Sequence, residues 1–162
     1  MALAKEGILG ACGHMGFDTH MARALQQAAQ AGARGEVPVG AALVVAGEVI
    51  AQAGNRCREL KDPTAHAEML VIREACAALG VERLENASLY VTLEPCPMCA
   101  AAISHARVAR LYYGACDPKS GGVAQGARVF EHPQCHHVPE IYDGIGAGAA
   151  ARLLAEFFKD RR

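Results

Sequence analysis

Residues 88–99 read SLYVTLEPCPMC, and this stretch decides the fold. Its first half, Ser88 to Leu93, is an uncharged run with β-branched and aromatic residues, which predicts a buried strand. Two prolines then close the strand, and Met98 to Ile103 predicts a helix. A second apolar run, Val108 to Gly114, predicts the next strand. Strand, helix and strand in this order imply a parallel pair, and therefore an α/β architecture.

The rest of the chain supplies a hairpin and further helices around this unit. Two β-rich runs flank Ala46-Gly47, which predicts a tight turn between antiparallel strands. The predicted elements are a helix over Asp18 to about Ala31, strands over Val39–Val45 and Glu48–Ala53, a helix from Thr64 to about Leu79, a weak strand over Val138–Tyr142 and a helix over Ala149–Lys159. Together they predict a layered α/β sandwich, whose central sheet is expected to carry a site at its carboxyl edge.

Length and composition limit the class of protein. A chain of 162 residues fits one domain, which we place at residues 17–162 behind a flexible N-terminal extension at residues 1–16. The sequence has no apolar run of membrane-spanning length and no secretory signal, so we expect no membrane partner. Its seven cysteines form no regular disulfide framework, which favours a cytoplasmic protein. The net charge of -1 does not by itself indicate a nucleic-acid partner.

Two separated motifs predict a metal site. The segment PTAHAE, residues 63–68, follows Asp62, and this Asp-Pro pair predicts a helix start that puts His66 in the first turn. Cys96 and Cys99 are one turn apart on the later helix. Helix N-termini favour thiolates, which bind zinc. One imidazole and two thiolates leave the fourth tetrahedral position open, as in a catalytic zinc site.

Glu68 has the position of a proton carrier beside this metal. Two thiolates cancel the charge of Zn²⁺, so the centre acidifies its water less than an all-histidine site would, and a nearby base must help. Glu68 stands two residues from His66, close enough to serve. The pattern H-x-E followed by P-C-x-x-C is the signature of zinc deaminases that act on nucleobases. We therefore expect one zinc per chain, held by His66, Cys96 and Cys99, with Glu68 catalytic.

A closed structural zinc site is the alternative interpretation of the same ligands. It would need a fourth ligand, for which the sequence offers several histidines and cysteines. The candidates are His105, Cys116, Cys135, His136 and His137. None of them stands in a second C-x-x-C or paired-histidine motif at a zinc-ribbon or zinc-finger spacing, and such a site would have no use for Glu68.

Further segments narrow the family. They are Glu36–Gly40, Asn55-Arg56, Asp62–Glu68, Leu89–Cys99 and Gly114–Gly121. Together they resemble the bacterial tRNA-specific adenosine deaminases of the cytidine deaminase-like superfamily, over roughly residues 18 to 162. This resemblance implies a three-layer α/β/α sandwich with a central mixed five-stranded sheet. It also implies a homodimer that converts adenosine to inosine at the wobble position of a tRNA anticodon stem-loop.

The resemblance assigns roles to further residues. Asn55 would hydrogen-bond the base, and the loop around Asp117 and Lys119 would approach the flipped nucleotide. The ending Phe157 to Arg162 matches a C-terminal helix that contacts tRNA. The sequence departs from the family at Cys116, where an arginine is usual. The zinc motifs alone also fit a free-base guanine or cytosine deaminase, and outside enzymes a zinc-stabilised binding module, so these readings stay open here.

Overall fold

The computed structural model describes residues 15–159 and residue 161, with side chains from His20 onward. Most of the predicted extension at residues 1–16 lies outside the described residues, and the first helix begins at Met15, three residues before its predicted start. The helices are α1 (Met15–Ala33), α2 (Cys57–Leu60), α3 (Ala67–Leu79), α4 (Pro97–His105) and α5 (Ala147–Lys159), and a 3₁₀ turn spans Val129–Glu131. The strands are β1 (Gly40–Val45), β2 (Glu48–Gly54), β3 (Ala87–Leu93), β4 (Arg110–Ala115) and β5 (Glu140–Tyr142).

The strands form one mixed sheet in the order β2-β1-β3-β4-β5. Strand β1 pairs antiparallel with β2 and β3, whereas β3, β4 and β5 run parallel. The hairpin turns at Ala46 and Gly47, both at positive φ (51° and 83°), as a two-residue turn between twisted strands requires. The mixed five-stranded sheet and its parallel pair around the cysteine helix are thus confirmed.

Helices cover both faces of the sheet, which confirms the three-layer prediction. On one face, α1 and α5 pack over the sheet, where Met21 and Ala24 contact Val44 and two tyrosines. The other face carries the larger core, which joins α3 and α4 to the inward side chains of β1, β3 and β4. Helix α1 lies so close to β1 that a Cβ on Gly40 would be 2.1 Å from the Ala24 carbonyl oxygen.

Helix α3 begins later than predicted, and the reason is local. Asp62 does not cap the helix, because its Oδ1 accepts hydrogen bonds from the backbone N–H and the hydroxyl of Thr64 at 2.8 and 2.7 Å. This turn keeps residues 62–65 out of the helix. His66 is extended (φ -71°, ψ 151°) and stands just before the first helical residue, Ala67. The prediction that His66 lies in the first helical turn is therefore wrong by one position.

Helix α4 offers little apolar surface to a second copy of the chain, although the sequence has an apolar run at Ala100–Ile103. Ala100 and Ile103 are fully buried inside the chain, against the sheet. Ala101 and Ala102 are half-buried.

No helix in the described part of the chain is both long and apolar enough to cross a membrane.

Candidate active site

Three side chains converge where α3 and α4 begin. His66 and Cys96 are the residues immediately before the two helices, both with extended backbone, and Cys99 lies in the first turn of α4. The Nδ1 atom of His66 is 3.7 Å from the Cys96 sulfur and 3.5 Å from the Cys99 sulfur. The parallel arrangement of β3 and β4 places the start of α4 at the carboxyl edge of the sheet, as expected for an α/β site.

The spacing of these atoms fits a tetrahedral zinc ion. Zn–S bonds of about 2.3 Å and Zn–N bonds of about 2.05 Å at a tetrahedral angle put nitrogen and sulfur about 3.6 Å apart. The two observed separations bracket that value. Within residues 15–159 and 161, these three residues are the only group of histidine, cysteine and acidic side chains with donor atoms this close. No fourth protein ligand joins them there, so the donor set is that of an open, catalytic zinc site.

Cys96, but not Cys99, is biased towards thiolate by its neighbours. A hydrogen bond from Cys99, followed by one from His66, lowers the pKa of the Cys96 thiol to about 4. The same contact raises the pKa of the Cys99 thiol, so without metal the pair retains one proton. Zinc would be held by both sulfurs as thiolates, so its binding would be coupled to the release of that proton.

Glu68 lies in the first turn of α3 and is buried, with 3% of its surface exposed. Its Oε2 atom has no hydrogen-bond partner, which is unusual for a buried carboxylate oxygen. Burial raises the pKa of Glu68 to about 7, and the bond to its own backbone and the charge of His66 offset only part of this effect. The side chain is thus a buried acid able to exchange a proton near neutral pH.

Asn55 orders the start of α3. Its Oδ1 accepts a hydrogen bond at 2.9 Å from the backbone N–H of Ala67, one of the N–H groups that a helix start leaves without a helical partner. The backbone N–H of Asn55 donates to the Val39 carbonyl at 3.0 Å. With Oδ1 occupied, Nδ2 remains the group that can donate to a ligand. The sequence did not predict this contact with the helix start, and the contact of Asn55 with the base stays a prediction.

The loop after β4 carries the two other predicted substrate contacts. Asp117 is half-buried, and its Oδ1 accepts hydrogen bonds from the backbone N–H groups of Lys119 and Ser120, both at 3.1 Å. One carboxylate oxygen of Asp117 is therefore used to shape the loop. Lys119 is exposed.

Glu94 holds this loop and was not identified from the sequence. It is 2% exposed, and its two oxygens accept four backbone hydrogen bonds from the loop. A signal was present, since an acidic residue that directly follows a buried strand needs partners. The partners themselves stand 23 to 31 residues away, where no local pattern reveals them.

A groove of about 900 Å³ joins the loop to the C-terminal helix α5. Three cationic residues line it, Lys119, Lys159 and Arg161. Phe158 lines the same groove with 47% of its surface exposed. The Arg161 guanidinium stacks 3.7 Å from the centre of the Phe157 ring, which orders this end of the chain. Asp160 and Arg162, which the prediction for the C-terminal ending included, lie outside the described residues.

Known proteins share this sequence and fold. Residues 17–115 match the model of the cytidine and deoxycytidylate deaminase zinc-binding region. The tRNA-specific adenosine deaminase of Agrobacterium fabrum is 60% identical over 145 residues, which cover 89% of this chain and 95% of that protein. The protein of the same name from Bacillus subtilis is 44% identical over 145 residues, 90% of each chain.

Solved structures also resemble this chain. A structure from biochemical and structural studies of A-to-I editing by tRNA:A34 deaminases at the wobble position of transfer RNA is 60% identical, with a TM-score of 0.83 over 84% of this chain and 99% of that one. The guanine deaminase of Bacillus subtilis is 41% identical, with a TM-score of 0.59 over 61% of this chain and 64% of that one. The fold, the ligand set and both comparisons agree: the chain belongs to the zinc-binding family of cytidine and deoxycytidylate deaminases, in the branch of the bacterial tRNA-specific adenosine deaminases.

Proposed function

We propose that this chain hydrolyses adenosine to inosine at the wobble position of a tRNA anticodon loop, using one zinc ion. The observation that carries the proposal is the three-ligand cluster beside Glu68, a buried acid with a partnerless oxygen. The chemistry is supported by this geometry. The substrate is supported by the 60% identity to the Agrobacterium fabrum tRNA-specific adenosine deaminase.

The division of labour follows from the donor atoms. His66, Cys96 and Cys99 would hold zinc, which would lower the pKa of a bound water and so supply a nucleophile near neutral pH. Glu68 takes one proton from the attacking water through Oε2, which has no hydrogen-bond partner, and delivers it to the purine ring as the water oxygen bonds to C6. It then carries the second proton of that oxygen to the amino group, so that the C6–N bond breaks and ammonia leaves. A pKa of about 7 suits a group that must both take and give a proton.

Recognition of the base falls to Asn55. Its Oδ1 is fixed by the Ala67 N–H, so Nδ2 offers a directed donor to an acceptor atom of the purine. The same side chain therefore sets the start of α3, on which Glu68 lies, and the place of the base. This arrangement supports a fixed distance between the base and the proton carrier.

Recognition of the RNA falls to the groove between the Asp117 loop and α5. Lys119, Lys159 and Arg161 concentrate positive charge there, although the whole chain has a net charge of -1. An exposed aromatic ring in a cationic groove is the usual arrangement for single-stranded nucleic acid, where bases stack and phosphates pair with cations. Phe158 would provide the stacking surface. Asp117 lines the groove and would act on the neighbouring nucleotide through its remaining oxygen.

An adenine in an unpaired loop suits this mode of recognition. A base in an anticodon loop needs little energy to leave its stack, so selection can rest on the pocket and on contacts to flanking nucleotides.

We place the enzyme in the cytoplasm, in keeping with its tRNA substrate. None of the six cysteines in the described residues forms a disulfide, which suits a reducing compartment.

A homodimer is the assembly that we propose. Its support is the resemblance to the family, with Ala101 and Ala102 of α4 as the half-buried apolar contribution of this helix. Light scattering at micromolar concentration is expected to give about twice the chain mass of 17.0 kDa. A single-chain mass under those conditions would contradict the dimer.

The substrate is tested by comparing the activity of the protein on three candidate substrates. The purified zinc protein is incubated with an anticodon stem-loop that carries adenosine at the wobble position, and separately with free guanine and free cytosine. We expect inosine in the stem-loop and no ammonia from either free base. Rapid release of ammonia from guanine with an unchanged stem-loop would replace the proposal with a free-base deaminase.

A further inference from the structure

Glu94 binds both ends of the loop that lines the groove proposed to bind RNA. Its side chain is 2% exposed and lies at the end of β3, two residues before the zinc ligand Cys96. One oxygen, Oε2, accepts the Asp117 N–H at 3.0 Å. The other, Oε1, accepts three consecutive N–H groups, those of Val123 at 3.2 Å, Ala124 at 2.8 Å and Gln125 at 2.9 Å. A single carboxylate therefore joins both ends of the segment that contains Lys119.

The chemistry of the carboxylate suits this contact. An ionised carboxylate only accepts hydrogen bonds and has about four lone-pair sites, so four N–H donors satisfy it fully. In the described part of the chain, no cation forms a salt bridge with Glu94. The loop backbone alone compensates the buried charge. Loop closure and burial of Glu94 therefore depend on each other.

The same loop is fastened to the zinc-binding helix. The Gly122 N–H donates to the Pro95 carbonyl at 2.8 Å. A Cβ on Gly122 would lie 2.5 Å from the nitrogen of Pro97, and a Cβ on Gly121 would lie 2.7 Å from the Glu94 carboxyl carbon. Only glycine allows the loop to approach this closely. The segment that carries Lys119 is thus hydrogen-bonded to the backbone just before Cys96 and lies close against the backbone just after it.

We propose that Glu94 is a positioning residue that sets the place of the RNA-binding loop relative to the zinc site. Through its four hydrogen bonds it holds Asp117 and Lys119 at a fixed distance from Cys96. The flanking nucleotides are thereby placed in register with the adenine to be attacked. This inference rests on the proposed RNA substrate, and it assigns to Glu94 a role in binding rather than in proton transfer.

The first test replaces Glu94 with glutamine, which has the same shape. The amide nitrogen of Glu94→Gln cannot accept an N–H, so at least one loop contact becomes repulsive. We expect the amides of 117 and 123–125 to lose about tenfold or more of their protection from hydrogen exchange, a hydrogen bond to a charged group being worth at least that factor. Sheet amides and zinc content should stay unchanged. Retained protection of the loop amides would overturn the proposal.

The second test separates positioning from simple stability. With the stem-loop as substrate, far below the melting temperature, Glu94→Gln is expected to raise KM about tenfold or more, again the factor for one lost charged hydrogen bond, with a smaller change in kcat. Lys119→Ala should raise KM in the wild-type background and have little further effect in the Glu94→Gln background, because residues acting through one contact are not additive. An unchanged KM, or additive effects of the two substitutions, would overturn the proposal that Glu94 positions Lys119.

Two further variants distinguish displacement of the loop from a general loss of stability. Gly121→Ala keeps Glu94 but pushes the loop off the carboxylate, and it should reproduce the KM increase. Ser104→Ala removes a partly buried hydrogen bond of 2.7 Å to the His137 carbonyl, at the other end of α4, and should leave KM unchanged. A KM increase in Ser104→Ala equal to that in Gly121→Ala would overturn the proposal.

The failure of the two proposals can be told apart. If the wild-type protein does not deaminate the stem-loop, the proposed function is wrong, and the hydrogen-exchange comparison still decides whether Glu94 holds the loop. If the wild-type protein is active and Glu94→Gln has the same KM and the same loop protection, only the role of Glu94 is wrong.

Discussion

Glu68 differs from the three zinc ligands in how its side chain is held. The ligand atoms of His66, Cys96 and Cys99 face one another within 4.8 Å, whereas a carboxylate oxygen of Glu68 is buried without a partner. A buried polar atom with no partner costs free energy, so its retention points to a functional use. That contrast separates metal binding from proton transfer at the level of single residues.

Replacement of Glu68 by glutamine should remove catalysis and leave the metal site intact. The amide cannot take a proton, and a general acid–base step is worth about 10² to 10⁴ in rate. We expect Glu68→Gln to keep one zinc per chain and the wild-type circular dichroism, with kcat lower by at least about 10². Metal analysis and single-turnover assays check this. Near-normal turnover would contradict the assigned mechanism.

Replacement of Cys99 by serine should remove the metal. A hydroxyl is a harder and far less acidic ligand than a thiol, and Cys99 is fully buried between His66 and Cys96. We expect zinc content well below one per chain in Cys99→Ser, measured by atomic absorption after gel filtration. Cys76→Ser, which changes a half-buried thiol on α3 outside the metal cluster, is the control and should keep its zinc. Full zinc content in Cys99→Ser would refute the ligand assignment.

Elements defined by periodic patterns were predictable, whereas those defined by distant contacts were not. The hairpin at Ala46-Gly47 and the buried strand at residues 87–93 follow from local composition, and both are present. The start of α3 was misplaced because Asp62 binds Thr64 locally and leaves the true helix start to Asn55, twelve residues before Ala67. Helix α2 also escaped prediction. It is four residues long, and the distant Glu36 carboxylate accepts two of its N–H groups.

The candidate site divides in the same way. His66, Glu68, Cys96 and Cys99 could be found because spacing along a helix start translates directly into spacing in the site. The four hydrogen bonds that Glu94 accepts from the loop could not be predicted, because they depend on how the loop folds back over the end of β3. Sequence motifs therefore indicated the chemistry of the site but not the contacts that hold the loop proposed to bind RNA.

The close packing of α1 on the hairpin gives a prediction at the element scale. A methyl group on Gly40 would overlap the backbone of Ala24 and Ala28, which cannot move without shifting the helix. We expect Gly40→Ala to lower the free energy of unfolding by about 1–3 kcal/mol, the usual cost of overpacking. Urea titration measures it. Gly148→Ala is the matched control, because its Cβ would make only an ordinary contact at 3.6 Å, in helix α5, and it should stabilise by about 0.5 kcal/mol.

At the scale of the whole molecule, the distribution of charge matters more than its sum. A net charge of -1 gives the chain no overall attraction for polyanions, so the proposed RNA binding must come from a local field. The groove between the Asp117 loop and α5 collects three cations within one concave surface. Association with RNA should therefore be specific to this face and sensitive to salt.

Removal of residues 159–162 tests this distribution. The truncation deletes Lys159 and Arg161 from the groove and should weaken stem-loop binding, with zinc content unchanged. The slope of log K against log salt should fall by about 0.7 for each lost phosphate contact with a single strand. Fluorescence anisotropy at several salt concentrations measures both. The control is Arg83→Ala, which changes an exposed cation outside this groove and should leave the slope unaltered. An unchanged slope after truncation would exclude the C-terminal cations as RNA contacts.

The stacked tyrosines of the sheet give the protein an optical signal of its own. The chain has no tryptophan and four tyrosines, and three of them, Tyr90, Tyr112 and Tyr142, stack at 4.5 and 4.7 Å across the neighbouring strands β3, β4 and β5. Near-ultraviolet circular dichroism, which depends on fixed aromatic packing, therefore reports chiefly on this row of rings. Tyr142 lies on the edge strand with 43% of its surface exposed. Detachment of that edge would consequently be visible without any label, as a loss of ellipticity that precedes global unfolding.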